Sequence, residues 1–129
     1  MIVVDTSAIV AALTGETAGV RVNTVIAAAA TCLMSAASYL ESGIVLTSRY
    51  GDDGAHHLRL YLNEATIEIV SVDREQADLA LRAWTRYGKG RHPAALNYGD
   101  CFAYALATSR GAPLLFVGDH FTETDVKAA

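Results

Sequence analysis

Four carboxylates occupy positions where an acid needs an explanation. Asp5 ends the apolar run Ile2-Val3-Val4, Glu41 lies in ASYLESGIVL, Asp100 lies in NYGDCFAYALA, and Asp119 follows the apolar run in LLFVGDHF. On a helix Glu41 shares a stripe with Ala37 at i−4 and with Ile44 and Val45 at i+3 and i+4, which brings its carboxylate to the edge of a buried face. Asp100 is aligned in the same way with Ala103, Tyr104 and Ala107. Each acid also has a plainer reading. Asp5, Thr6 and Ser7 are helix-capping residue types, Asp100 three residues after Asn97 completes an N-terminal cap, Glu41 suits an exposed helix surface, and Asp119 suits a Gly-Asp turn. Taken together they read differently. Carboxylates that converge without cationic partners repel one another, and a divalent cation between them removes the repulsion. Ligation by oxygen alone points to Mg²⁺ or Mn²⁺ rather than zinc, and such ions assist phosphoryl transfer by activating a water or stabilising the leaving oxygen.

The elements that must position these acids can be read from periodicity. Ile2–Val4 is a short buried strand, followed by helices over about Ser7–Leu13 and Ala18–Ala30, and Thr31–Met34 is a second strand. Ala36–Tyr50 has helical spacing and stops at Gly51; Asp52-Asp53-Gly54 reads as a loop and Ala55–Glu64 as the next helix. Ile67–Val72 alternates as a third strand. A long helix over Asp73–Tyr87 opens on Asp73-x-x-Gln76, and Lys89–Pro93 is a loop rich in glycine and positive charge. The final helix, Tyr98–Arg110, ends at Gly111 and leads into the strand Leu114–Val117. Short apolar strands separated by helices define an α/β protein with a mainly parallel sheet covered on both faces. Ligands of such sheets bind beyond the carboxyl ends of the strands, where the strand order reverses.

At 129 residues, 52% hydrophobic and 19% charged, the chain has the size and composition of one folded domain spanning 1–129. Apolar tracts such as VIAAAA fall well short of the roughly 20 residues that span a bilayer, and the first residues lack a basic leader, so a cytoplasmic location with no membrane partner is expected. Cys32 and Cys101 lack metal-ligand spacing and read as buried thiols. The net charge of −4 hides a basic segment, because Arg82, Arg86, Lys89 and Arg91 fall between Leu79 and Gly99 with no intervening acid. Lys89, Arg91, His92 and Arg86 are therefore candidates for holding nucleic-acid phosphates, although part of this group also suits a solvated helix face. His56-His57 reads as surface, and Tyr39, Tyr98 and Tyr104 as core or rim.

VVDTSA, ASYLE, YGKGRHPAALNYGDCFAYALA and LLFVGDHFTETD together give the chain its resemblance, over essentially its whole length, to PIN-domain ribonucleases of the VapC toxin type. The resemblance implies a three-layer α/β/α sandwich with strand order 3-2-1-4, often extended by a fifth strand. It implies that Asp5, Glu41 and Asp100 bind metal (Mg²⁺, with Mn²⁺ as a substitute), with a fourth acid supplied after the last strand. Many relatives carry that acid directly before the phenylalanine, where this chain has His120; Asp119 is the favoured candidate and Asp125 the other. Thr6, Ser7 and Asn97 would support the pocket by bonding an acid or a metal-bound water. The implied activity is hydrolysis of RNA, tRNA or rRNA, by in-line attack of water, leaving a 5′-phosphate and a 3′-hydroxyl. The implied partners are a cognate VapB-type antitoxin and a second copy of the chain in a homodimer. The rival reading is a non-catalytic PIN-like module that binds RNA or a partner. A phosphotransferase with an aspartate nucleophile would want a second acid where Ser7 stands.

Overall fold

Alternation within the strands decides the architecture. In the computed structural model, which describes Met1–Ala129, the strands β1 (Ile2–Val4), β2 (Cys32–Ser35), β3 (Ile67–Val70) and β4 (Leu114–Leu115) form one sheet in the order β3-β2-β1-β4. All three pairings are parallel. Ile2, Val4, Cys32, Met34 and Leu115 enter one apolar cluster, whereas Val3, Leu33 and Leu114 enter another on the opposite face. A strand buried on both faces cannot lie at a solvated surface, so helices must cover each side. Helices α1 (Thr6–Leu13), α2 (Gly19–Ala28), α3 (Ala36–Tyr50) and α4 (Asp52–Glu64) pack on the first face, and α5 (Arg74–Tyr87) and α6 (Tyr98–Arg110) on the second. The expected three-layer sandwich and strand order are both present.

Several boundaries differ from the sequence reading, and β3 ends at Val70 rather than Val72. Asp52-Asp53-Gly54 is the first turn of α4 and not a loop; Gly51, at φ +67°, makes the break, and the two acids complement the positive end of the helix dipole. Gly54 is required there because a Cβ would collide with the Leu46 carbonyl of α3. β4 is two residues long where four were expected, because the Val117 amide leaves the ladder to donate to the Ser7 hydroxyl at 3.0 Å. The fifth strand is reduced to a single bridge between Leu114 and Ala128.

The sheet order reverses between β1 and β4. Helices that follow or precede parallel strands run back along the sheet, so the N-termini of α1, α3 and α6 all lie at the carboxyl edge of the strands. That edge holds the acids.

Candidate active site

Asp5 leaves β1 as the N-cap of α1, in extended conformation. Its Oδ2 accepts from the Ser7 amide at 2.9 Å and the Ser7 hydroxyl at 2.6 Å. Because the same hydroxyl accepts from Val117, Ser7 fastens the carboxylate to the segment that leaves β4. Thr6 turns the other way and donates to the Ser38 carbonyl of α3 at 3.1 Å, joining the β1 end to the helix that carries Glu41. Asp5 is only 3% exposed, and its Oδ1 has no hydrogen-bond partner. Burial pushes the carboxyl up from an ordinary 3.8 to about 6; the Ser7 bonds oppose the shift, and the Asp100 and Glu41 charges add to it.

Asp100 is the third residue of α6 and is locked there by a reciprocal capping box. Its amide donates to Asn97 Oδ1 at 2.9 Å, and its Oδ2 accepts from the Asn97 amide at 3.1 Å. Asn97 lines the cleft and holds Asp100 in place through these two bonds. The capping role does not take Asp100 out of the cleft, since capping fixes the carboxylate at the carboxyl edge of the sheet. The expected inward stripe of Ala103, Tyr104 and Ala107 is buried.

Glu41 reaches the site across the first turn of α6. Gly99 makes room for it: a Cβ at that position would fall on the Glu41 carboxylate. The helix dipole favours an acid at that end. The stripe assigned to Glu41 from sequence needs one correction. Val45 lines the same cleft, but Ile44 is 58% exposed and belongs to a groove between α3 and α4.

Asp5, Thr6, Ser7, Glu41, Asn97, Asp100 and Asp119 all line one cleft of about 500 Å³ at the β1–β4 reversal. Asp119 is exposed on the turn after β4 and lines the cleft, with its carbonyl accepting from Thr122. Asp125 does not line the cleft. It accepts from the Tyr104 hydroxyl and pairs with Arg86 at 3.3 Å, so both its oxygens are committed to holding the C-terminal segment against α5 and α6.

The basic loop is also placed differently from expectation. Gly88 bridges Leu96, and the Arg91 and His92 amides both donate to the Gly88 carbonyl, which closes residues 88–96 into a tied turn. Arg91 donates to the Thr85 carbonyl at 2.9 Å and stacks on Trp84; His92 Nδ1 accepts from the Ala94 amide, and its ring meets Tyr87 edge-on. Lys89 is exposed, Arg86 is paired with Asp125, and none of the four lines the acid cleft. Three polar residues outside the sequence-derived set do line it: Glu16, Arg49 near the end of α3, and His120, whose Nδ1 lies 2.8 Å from Asp100 Oδ2. A helical count of two turns from Glu41 would have found Arg49.

The donor set suits a hard divalent cation. A buried carboxylate oxygen without a partner, in a cleft lined by further acids, is a group that a cation would satisfy. No three of the acids are drawn together into a closed cage. Cys101, beside Asp100, does not take part: burial and the Asp100 charge push its thiol up to about 11.

Comparison with known proteins identifies the family. The PIN domain profile matches residues 2–127, and the chain belongs to the PIN-domain family. It is 52% identical over 126 residues to a ribonuclease VapC of Mycolicibacterium smegmatis, covering 98% of both chains. It is 48% identical over 124 residues to ribonuclease VapC30 of Mycobacterium tuberculosis, covering 96% of this chain and 95% of that one. Within the family it therefore stands among the VapC ribonucleases, the toxin halves of toxin–antitoxin modules. The fold matches the crystal structure of Mycobacterium tuberculosis VapC20, described as a sarcin–ricin loop cleaving toxin. The TM-score is 0.79 at 18% identity, covering 100% of this chain and 98% of that one. A toxin–antitoxin complex from Klebsiella pneumoniae gives 0.75 at 14% identity, with 100% and 97% covered. No helix is long and apolar enough to cross a membrane.

Proposed function

We propose that this chain is an endoribonuclease that depends on Mg²⁺ or Mn²⁺, with Asp5, Asp100, Glu41 and Asp119 as its working acids. The observation that carries this reading is the unpartnered, buried Oδ1 of Asp5 in a cleft shared with the other three. When bound, the cation supplies a water of lowered pKa and neutralises charge on the phosphodiester. Ser7 holds the Asp5 carboxylate in one orientation, and the Asn97 cap does the same for Asp100. Burial of Asp5 raises the cost of leaving it ionised and unpaired, which favours cation binding at neutral pH. Asp119, exposed and lining the same cleft, would meet the ion or its waters.

The toxin–antitoxin relationship extends the proposal to two protein partners, a VapB-type antitoxin and a second copy of the chain. The wholly apolar groove between α5 and α6, lined by Leu81, Trp84, Tyr98 and Phe102 among others, supports partner binding, because Leu81 and Tyr98 are 64% and 81% exposed. The deciding experiment is to map RNA ends after total cellular RNA is treated with purified protein and Mg²⁺ or Mn²⁺. Asp100→Asn is the control. New 5′-phosphate ends at defined sites, absent with Asp100→Asn and with chelator, are expected; the same ends from the variant would overturn the reading.

A further inference from the structure

We infer that Arg49 is the residue that holds the RNA backbone in the cleft, by gripping a phosphate next to the one that is cut. This rests on the ribonuclease reading above and assigns its substrate contact.

Charge accounting leads to Arg49. The cleft is lined by five carboxylates, from Asp5, Glu16, Glu41, Asp100 and Asp119, and Arg49 is its one lysine or arginine. A polyanion entering such a space needs a cation apart from any bound at the acids. Arg49 is exposed and forms no ion pair with an acid of the chain, although Glu16 shares the rim with it. No other lysine or arginine lines the cleft, and three of them have contacts of their own. Arg86 and Arg91 are engaged by Asp125, Thr85 and Trp84, and Arg21 donates to the Phe116 carbonyl at 2.9 Å.

Position separates its role from that of the acids. Glu41, Val45 and Arg49 succeed one another at i, i+4 and i+8 along α3, and all three line the cleft. Eight residues of α-helix advance about 12 Å, so the Arg49 backbone is two turns away from Glu41. A guanidinium reaching in from there meets the strand beside the acids and not at them. Its planar fork matches phosphate oxygens, and its charge does not titrate near neutral pH. Arg49 is thus a positioning residue: it acts on substrate affinity and leaves the bond-breaking step to the acids.

The test uses the full chain with fluorescently labelled bulk tRNA, comparing wild type, Arg49→Ala and Arg49→Lys across a salt series, with cleavage of the same RNA measured in parallel. Arg49→Ala should bind roughly tenfold more weakly. Its slope of log affinity against log salt should be shallower by about 0.7 to 0.9, the value of one phosphate contact. Arg49→Lys should keep the slope and recover part of the affinity. In the cleavage arm, KM should rise for Arg49→Ala while kcat stays near wild type. Wild-type affinity and slope in Arg49→Ala would overturn the inference, as would a kcat loss with unchanged KM, or no binding of tRNA by the wild type. Failure of the ribonuclease reading looks different: the wild type binds but does not cut, or Asp100→Asn cuts equally well, while the salt slopes still report on Arg49.

Discussion

Gly99 on α6 and Glu41 on α3 meet so closely that a Cβ on the first would overlap the carboxylate of the second. The glycine is needed for this approach and not for any unusual backbone, since it sits within a helix. Gly99→Ala should therefore leave the helix intact, with an intrinsic propensity gain of up to about 1 kcal/mol, yet displace Glu41. Steady-state cleavage should fall by about a hundredfold, the scale set by a misplacement of roughly 1 Å, while the circular dichroism spectrum stays native.

The buried Asp5 makes stability depend on pH in an uncommon direction for a carboxylate. Its folded pKa of about 6 lies above the ordinary 3.8, so the folded state binds the extra proton between those values. This stabilisation is fully present below pH 3.8 and is lost as pH rises through about 6. In the absence of divalent ions, Asp5→Asn should remove that dependence and be more stable than wild type near pH 7, by up to roughly 3 kcal/mol. Urea unfolding at several pH values measures it, and the same variant should be inactive.

Divalent ions should offset what Asp5 costs. At about a hundredfold excess over Kd, Mg²⁺ or Mn²⁺ should stabilise the wild type by roughly 3 kcal/mol, raising Tm by several degrees. The rise should be larger at pH 8 than at pH 5, because the ion competes with the proton for Asp5, and should be absent in Asp5→Asn. Thermal melts with and without chelator provide the comparison.

Ser7 ties three elements together through one hydroxyl. Ser7→Ala removes the 2.6 Å bond to Asp5 and leaves the Val117 amide without its partner, for a loss of about 1–3 kcal/mol. The Asp5 pKa should move further up, since the Ser7 bonds hold it down. A shift of the pH–activity profile to higher pH would report this.

Arg86→Gln and Arg91→Gln should leave RNA affinity and its salt slope close to wild type, since both side chains are engaged within the fold. Filter binding with bulk tRNA distinguishes them from Arg49→Ala.

Much of this was legible in the sequence because strand and helix periods are local. The helix over Ala36–Tyr50 and the strand over Ile2–Val4 have the expected bounds, and Asp5, Glu41, Asp100 and Asp119 do share a cleft. What escaped was set by partners distant in sequence. β4 ends early because of Ser7, Asp125 is captured by Arg86 and Tyr104, and the basic loop is folded back on α5. Arg49 escaped for a different reason: it stands outside any run of positive charge, and only its helical spacing from Glu41 marks it.

The bridge between Leu114 and Ala128 has a consequence for the free protein. β4 is the outermost strand on its side, and its Leu114 amide and carbonyl are taken up by Lys127 and Ala129. An outermost strand with open amides is a template on which a neighbouring chain can polymerise. Here residues 127–129 take up that margin, so Leu114 offers a neighbouring chain neither a free amide nor a free carbonyl.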